Sequence, residues 1–263
     1  MTIAFSKLLA GARDDDGALV LDVPADWMQG RSVFGGLQVA FALQAMRALV
    51  PQVALRTLQA TFVAPVAGTM RVRARILRTG RNATHVEARI GDDSAPGAIV
   101  IAVFGSARSS AVERALVPRK LDPSTPVLID LPFGTERGPS FIRHFAARWL
   151  LGAPPFSGGR ESEQILELAI DDQGPANEAT IIALADFIPP VAFSYLSAPA
   201  AGSTVTWMLE MLVDRVDHLT SSGFRIEAEM VAARDGYTSQ AVRLFAASGE
   251  PVALSHQSML VFG

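Results

Sequence analysis

Residues 33–50 have the sequence VFGGLQVAFALQAMRALV, with a glycine pair, Gly35-Gly36, near the start. Apolar residues recur along this stretch at helical spacing, and Pro51 follows it directly. The pattern predicts a helix that opens at the glycines and ends at the proline.

The residues on either side of this helix predict antiparallel strands. Residues 55–66 (LRTLQATFVAPV) have the composition of a strand, and residues 97–108 (GAIVIAVFGSAR) are apolar enough for a central one. Between them, residues 69–90 alternate apolar and charged side chains on both sides of Thr79-Gly80, which is typical of two strands joined by a turn. A strand-like segment, GALVLDV, precedes the helix.

The same order of elements occurs again in the second half of the chain. Residues 178–196 (EATIIALADFIPPVAFSYL) predict a second apolar helix, and residues 203–215 (STVTWMLEMLVDR) predict the strand after it. Residues 223–249 contain Asp235-Gly236, a hairpin signal, and the chain ends in the strand-like PVALSHQSMLVFG. Strand-like segments also precede this second helix, so the pattern predicts a duplicated α+β fold.

A change of composition separates the two predicted units. Residues 107–139 are rich in proline, serine and charged residues, which is typical of a linker. We therefore predict an N-terminal unit at residues 1–106, a linker at residues 107–139 and a C-terminal unit at residues 140–263.

Composition excludes several classes of function. The 263 residues include no cysteine, so disulfides and thiolate chemistry are excluded. The formal net charge of −3, without a basic block, argues against nucleic-acid binding. No long uncharged apolar run predicts a membrane span, and the acidic N-terminal segment is unlike a secretory signal, so we expect a cytoplasmic protein. The four histidines lack the spacing of metal ligands, and we expect no metal.

One carboxylate stands inside the second apolar helix. In residues 179–196, Asp186 is the only charged residue. A buried carboxylate must be paired, hydrogen-bonded or neutral, because an isolated buried charge is very costly. Asp186 is therefore either a helix-ending residue that bonds to the backbone or a functional group with a perturbed pKa.

Several segments, in order, resemble one family. GRSVFGGLQVAFALQAM, LQATFVAPV, SFIRHFAARWLLGAPPFSGG and ADFIPPVA resemble segments of bacterial acyl-CoA thioesterase II and its thioesterase-like relatives. The resemblance covers nearly the whole chain. It implies a tandem (double) hotdog fold, in which each unit is a long central helix wrapped by a curved antiparallel sheet.

The resemblance implies a catalytic site in the second unit. The family uses an Asp, a Thr and a Gln to orient a water molecule that attacks the thioester carbonyl. Their positions in the family's segments correspond here to Asp186, Thr206 and Gln257, the threonine being placed by an ungapped match to VTWMLEMLVDR. The implied substrate is an acyl-CoA, with no cofactor, and the resemblance also suggests a homo-oligomer.

Substrate contacts are expected in the first unit. A helix N-terminus offers free backbone N–H groups for an oxyanion, and arginines suit the phosphates of CoA. The predicted binding residues are Gly35, Gly36, Phe34, Arg78 and Arg81. Arg31, just ahead of the first helix, is a further candidate.

Two alternatives remain open at this point. One is an acyl-CoA-binding or lipid-binding hotdog protein without turnover. The other is a hydratase or dehydratase, which would need a histidine paired with a helix carboxylate. None of the four histidines stands in that relation in the sequence, so hydrolysis is favoured over this chemistry. Ala185 and Pro189-Pro190 also depart from the family's second helix, and the two prolines should bend or end that helix three residues after Asp186. These departures affect the expected substrate rather than the reaction type.

Overall fold

The computed structural model describes residues 3–92, 94–122 and 124–262. Among them are three α-helices: α1 (Phe5–Ala10), α2 (Gly35–Leu49) and α3 (Glu178–Ala185). The strands are β1 (Arg13–Asp15), β2 (Ala18–Asp22), β3 (Met28–Gln29), β4 (Ser32–Val33), β5 (Leu55–Phe62), β6 (Thr69–Thr79), β7 (Ala83–Gly91), β8 (Pro96–Gly105), β9 (Ile129–Leu131), β10 (Phe145–Leu151), β11 (Glu163–Ile170), β12 (Gly202–Met211), β13 (Phe224–Arg234), β14 (Tyr237–Phe245) and β15 (Pro251–Val261). No helix in these ranges is both long enough and apolar enough to cross a membrane.

The two predicted units share one sheet. Within the described chain, thirteen strands are ordered β1-β2-β6-β7-β8-β5-β12-β15-β14-β13-β11-β10-β9. The sequence β2-α2-β5-β6-β7-β8 returns as β11-α3-β12-β13-β14-β15, so the predicted duplicated α+β fold, the tandem hotdog, is confirmed. Strands β5 and β12 pair at the centre, with Leu58 opposite Leu209 and Ala60 opposite Trp207. This pairing makes the two halves a continuous antiparallel sheet.

The two main helices lie antiparallel in the core, against the inner face of the sheet. Helix α2 is buried over most of its length because apolar residues occupy nearly all its faces. Its last turn is closed by Arg47, whose guanidinium donates to the carbonyls of Val50 and Val53. Helix α3 begins at Asn177, whose side chain accepts from the Thr180 N–H in a capping box.

The second helix ends before the double proline. The sequence predicted an apolar helix in residues 178–196 that bends or ends at Pro189-Pro190, and in the structure α3 ends at Ala185 while a separate 3₁₀ turn forms at Val191–Tyr195. The physical reason is Pro189-Pro190, since a proline disfavours the helical conformation at the residue before it and has no N–H to donate to the carbonyl four residues earlier. The early end places Asp186 at the C-cap of α3 instead of inside a longer helix.

One regular element forms in the part of the predicted linker that the structure describes. Strand β9 pairs with β10 at the outer edge of the second half, with Asp130 opposite Arg148. The boundaries of the three predicted segments themselves stay a prediction.

Candidate active site

A cavity of about 240 Å³ opens where the N-terminus of α2 meets the C-terminus of α3. Both halves of the chain contribute to its walls. Its lining residues include, from the first half, Arg31, Ser32, Gly35, Gln38 and Phe62, and, from the second half, Asp186, Ile188, Phe193, Ser203, Thr204, Gln257 and Met259.

Asp186 is the carboxylate of this cavity. Its Oδ1 accepts a hydrogen bond of 2.7 Å from Nε2 of Gln257, and its carboxylate also accepts from the backbone N–H of Gly36. Burial raises the pKa of the Asp186 carboxyl to about 7, because these two hydrogen bonds only partly offset the loss of solvation. The group can therefore exchange a proton near neutral pH, which is the property that general acid–base chemistry requires.

The absence of a side chain at Gly35 makes room for this carboxylate. A Cβ placed on Gly35 would lie 2.7 Å from Oδ2 of Asp186 and 3.2 Å from Cζ of Phe62. On Gly36, the next residue, it would lie 2.6 Å from the Phe34 ring and 3.0 Å from Cα of Ala183. The glycine pair therefore permits two close approaches, one to the carboxylate and one between the two helices.

The structure brings Asp186 and Gln257 together at the cavity, but it does not bring Thr206 there. Thr206 is exposed on β12 and pairs with Ser258, on the opposite face of the sheet from Gln257. Thr204 lines the cavity instead. A bulge between Thr204 and Thr206 shifts the alternation of β12, and an ungapped match along the strand takes no account of a bulge.

The predicted binding residues of the first half are divided between the cavity, the core and the surface. Gly35 lines the cavity, whereas Phe34 is fully buried and stacks on Phe141 with ring centroids 4.1 Å apart. Phe34 therefore packs in the core and is not part of the cavity wall.

The arginines are also separated. Arg78 and Arg81 are exposed at the β6–β7 turn and do not line the cavity. Arg31 is exposed at the cavity rim and forms no salt bridge with any residue that the structure describes. The cation that stands at this opening is therefore Arg31.

The opposite end of the helix pair has different chemistry. There the N-terminus of α3 meets the last turn of α2, and the Arg47 guanidinium donates to Glu178 at 2.8 Å. Asp186, by contrast, has no cationic partner among the described residues. At one end of the helix pair the carboxylate, Glu178, is therefore paired with a cation, and at the other end the carboxylate, Asp186, is not.

No histidine lines the cavity in the described chain. His144 is buried against Trp27, with ring centroids 4.0 Å apart, and the burial lowers its pKa. His256 points to the outer face and bonds to Ser239 at 2.9 Å, and His218 bonds to Glu250 at 3.1 Å. His85 lies on β7, outside the cavity wall.

Comparisons with known proteins agree over nearly the whole chain. Residues 23–105 match the acyl-CoA thioesterase N-terminal domain, and residues 119–261 match the acyl-CoA thioesterase C-terminal domain. A hot dog fold protein of unknown function from Alicyclobacillus acidocaldarius is structurally similar, with a TM-score of 0.87 and 22% identity, over 100% of this chain and 99% of that one.

Two further solved structures are similar over nearly their whole length. The tesB protein of Mycobacterium avium subs paratuberculosis has a TM-score of 0.77 and 14% identity, over 99% of this chain and 100% of that one. The acyl-CoA thioesterase II TesB2 of Mycobacterium marinum has a TM-score of 0.72 and 15% identity, over 98% of each chain. At these identities the likeness shows the fold alone. No curated protein sequence matches the chain significantly.

Proposed function

The chain belongs to the acyl-CoA thioesterase family, and from this premise we propose that it hydrolyses an acyl-CoA thioester to a free acid and CoA at the Asp186 cavity. The observation that carries the proposal is the Asp186 carboxylate, whose pKa is raised to about 7 and which faces the cavity beside Gln257 and the N-terminus of α2. A base that titrates near neutrality suits activation of water at the working pH of most enzymes.

In the proposed reaction, ionised Asp186 takes a proton from a water molecule as the water oxygen attacks the thioester carbonyl. The carbonyl oxygen then carries negative charge, and backbone N–H groups of the first turn of α2 at Gly35 stabilise it. When the tetrahedral intermediate collapses, the carbon–sulfur bond breaks, and the proton held by Asp186 passes to the sulfur of CoA. Gln257 keeps the carboxylate in place throughout.

Thr204 is the hydroxyl that we assign to this site in place of Thr206. The side chain of Thr204 lines the cavity on the same face of the sheet as Gln257. Thr204→Val removes the hydroxyl, and we expect kcat to fall by about three- to ten-fold, the effect of losing one hydrogen bond made by that hydroxyl. Thr206→Val is the matched control, since Thr206 is exposed on the other face and should retain wild-type kinetics. Steady-state rates of CoA release decide between them, and a loss confined to Thr206→Val would contradict the assignment.

Arg31 is the residue that we assign to the phosphates of CoA. We expect Arg31→Ala to raise KM about three- to ten-fold while kcat changes little, because an exposed charge pair contributes modestly and acts in binding. The effect should shrink as salt is added. Arg114→Ala, in the exposed segment between the two halves, is the charge-matched control, and Arg78→Ala and Arg81→Ala test the binding positions predicted from sequence. A KM change in those two variants and none in Arg31→Ala would overturn the assignment.

The function itself is tested by release of free CoA from short-, medium- and long-chain acyl-CoAs, with Asp186→Asn as the control. Turnover by the wild type and not by the folded variant supports the proposal. If the wild type binds a non-hydrolysable acyl-CoA but releases no CoA from any substrate, the protein is a binding module and the proposal fails.

A hydratase is disfavoured because none of the histidines lines the cavity in the described chain. The homo-oligomer and the cytoplasmic location stay predictions.

A further inference from the structure

A chain of buried amides leads from the backbone to the Asp186 carboxylate. The N–H of Val191 donates to Oε1 of Gln240 at 2.7 Å, and Nε2 of Gln240 donates to Oε1 of Gln257 at 3.4 Å. Nε2 of Gln257 then donates to Oδ1 of Asp186 at 2.7 Å. Gln240 and Gln257 are buried, with exposed fractions of 1% and 2%, and only Gln257 reaches the cavity.

The two ends of this chain set the direction of both amides. A backbone N–H can only donate, so the group of Gln240 that faces Val191 must be its oxygen. Its NH₂ group must then face Gln257, which turns the oxygen of Gln257 toward Gln240. The NH₂ group of Gln257 is left for Asp186, and an ionised carboxylate can only accept. No other orientation of the two amides satisfies every partner.

The fold places the members of this chain close together without strain. Gln240 and Gln257 are direct partners across the β14–β15 ladder, so their side chains stand side by side on the inner face of the sheet. Val191 opens the 3₁₀ turn that follows Pro189-Pro190, a few residues after Asp186. We call this hydrogen-bonded chain of two amides the relay. It joins the turn that follows Asp186 in sequence to strands β14 and β15, which carry the two glutamines.

We propose that Gln240 is a positioning residue, which holds the amide of Gln257 with its NH₂ group toward Asp186 and so keeps the catalytic carboxylate in its ionised, water-facing state. The proposal rests on the proposed thioester hydrolysis for its kinetic effect. Gln240 acts through Gln257, and it does not line the cavity.

The consequence of losing Gln240 follows from the direction of the amides. Without a donor at position 240, the amide of Gln257 is free to turn over and present its oxygen to Asp186. An oxygen facing a carboxylate repels the charged form and accepts a proton from the neutral form. The pKa of Asp186 therefore rises further, and a smaller fraction of the enzyme holds the base at neutral pH.

The test compares Gln240→Glu and Gln240→Met with Gln164→Met. Gln240→Met removes both bonds without adding charge, so a shift in this variant supports the proposal. Gln240→Glu still accepts from Val191 but, when ionised, no longer donates to Gln257. Because its own charge also raises the pKa of Asp186, a shift in Gln240→Glu counts only beside one in Gln240→Met, whereas the absence of a shift in either folded variant contradicts the proposal. Gln164 is the matched control because it is another buried amide, 0% exposed, whose NH₂ group bonds only to the carbonyl of Ala153 among the described residues. The measurements are kcat and KM against pH, together with a ¹³C NMR titration of the Asp186 carboxyl, assigned with Asp186→Asn.

For the Gln240 variants we expect the acid limb of the kcat profile to move up by about one pH unit. With wild-type Asp186 half ionised at pH 7, such a shift lowers kcat at that pH by about five-fold, with KM unchanged. Gln164→Met should lose a similar amount of thermal stability and keep the wild-type profile. Folded Gln240 variants with the wild-type Asp186 titration would overturn the relay. If the wild type hydrolyses no thioester, the proposed function fails, but the NMR titration still decides the relay.

Discussion

Replacement of Asp186 by asparagine is expected to lower kcat for thioester hydrolysis by about 10²- to 10⁴-fold, the usual contribution of a positioned general base. Asparagine has nearly the same shape, and its one side-chain oxygen can still accept from Gln257, so the carboxamide can take the position of the carboxylate. It cannot take the proton from water. KM for acyl-CoA should change little, because the residues assigned to binding are untouched.

The pH dependence gives a second readout of the same residue. Since burial raises the pKa of Asp186 to about 7, the base is protonated below that pH, and kcat of the wild type should rise with pH through about 7. The residual rate of Asp186→Asn should lack this rise. A folded variant with wild-type turnover would show that the base lies elsewhere.

The same raised pKa has a consequence for stability. The folded protein holds the Asp186 proton more tightly than the unfolded chain, so the free energy of unfolding falls as pH rises from about 4 to about 7. Asp186→Asn removes this titration. The variant should therefore melt higher than the wild type at pH 8, and the difference should disappear at pH 4. Thermal melts at the two pH values measure this, and a difference independent of pH would contradict it.

The strands were predictable because their signals are local. Alternation of apolar and polar residues on both sides of Thr79-Gly80 and Asp235-Gly236 predicted two hairpins, and both formed. The placement of Asp186 and Gln257 at one site came from the resemblance, since 71 positions separate them and no local pattern links them.

The parts that sequence reasoning missed depend on tertiary structure. A bulge in β12 decides whether Thr204 or Thr206 faces inward, and a bulge leaves little trace in composition. Pro189-Pro190 carried a local signal that the second helix bends or ends near it, but the exact end at Ala185 is not fixed by that signal. Gln240 also had a signal, because alternation on β14 places it on the same face as the buried Val242 and Leu244. Only its contact with Gln257 reveals what the buried amide does.

Gly35→Ala is expected to lower kcat by about 10²-fold while the protein stays folded, because a displacement of about 1 Å at a reacting group has an effect of that size. In the interior of a helix, alanine is ordinarily more favourable than glycine by about 1 kcal/mol. Here the new methyl group would lie 2.7 Å from Oδ2 of Asp186, so the carboxylate must move away from the position that Gln257 gives it. Both atoms that the methyl group meets first belong to side chains, Asp186 and Phe62, which can shift without unfolding the helix.

Gly36→Ala provides the contrast that separates position from packing. Its methyl group would lie 3.0 Å from the backbone Cα of Ala183 and 2.6 Å from the Phe34 ring, so it pushes the two helices apart. We therefore expect Gly36→Ala to lower the melting temperature substantially, and Gly35→Ala to lower kcat with little change in melting temperature. Circular dichroism melts and CoA-release kinetics on both variants measure the two effects. Wild-type kcat in Gly35→Ala would mean that the carboxylate tolerates displacement, and the close approach of α2 to Asp186 would then serve only helix packing.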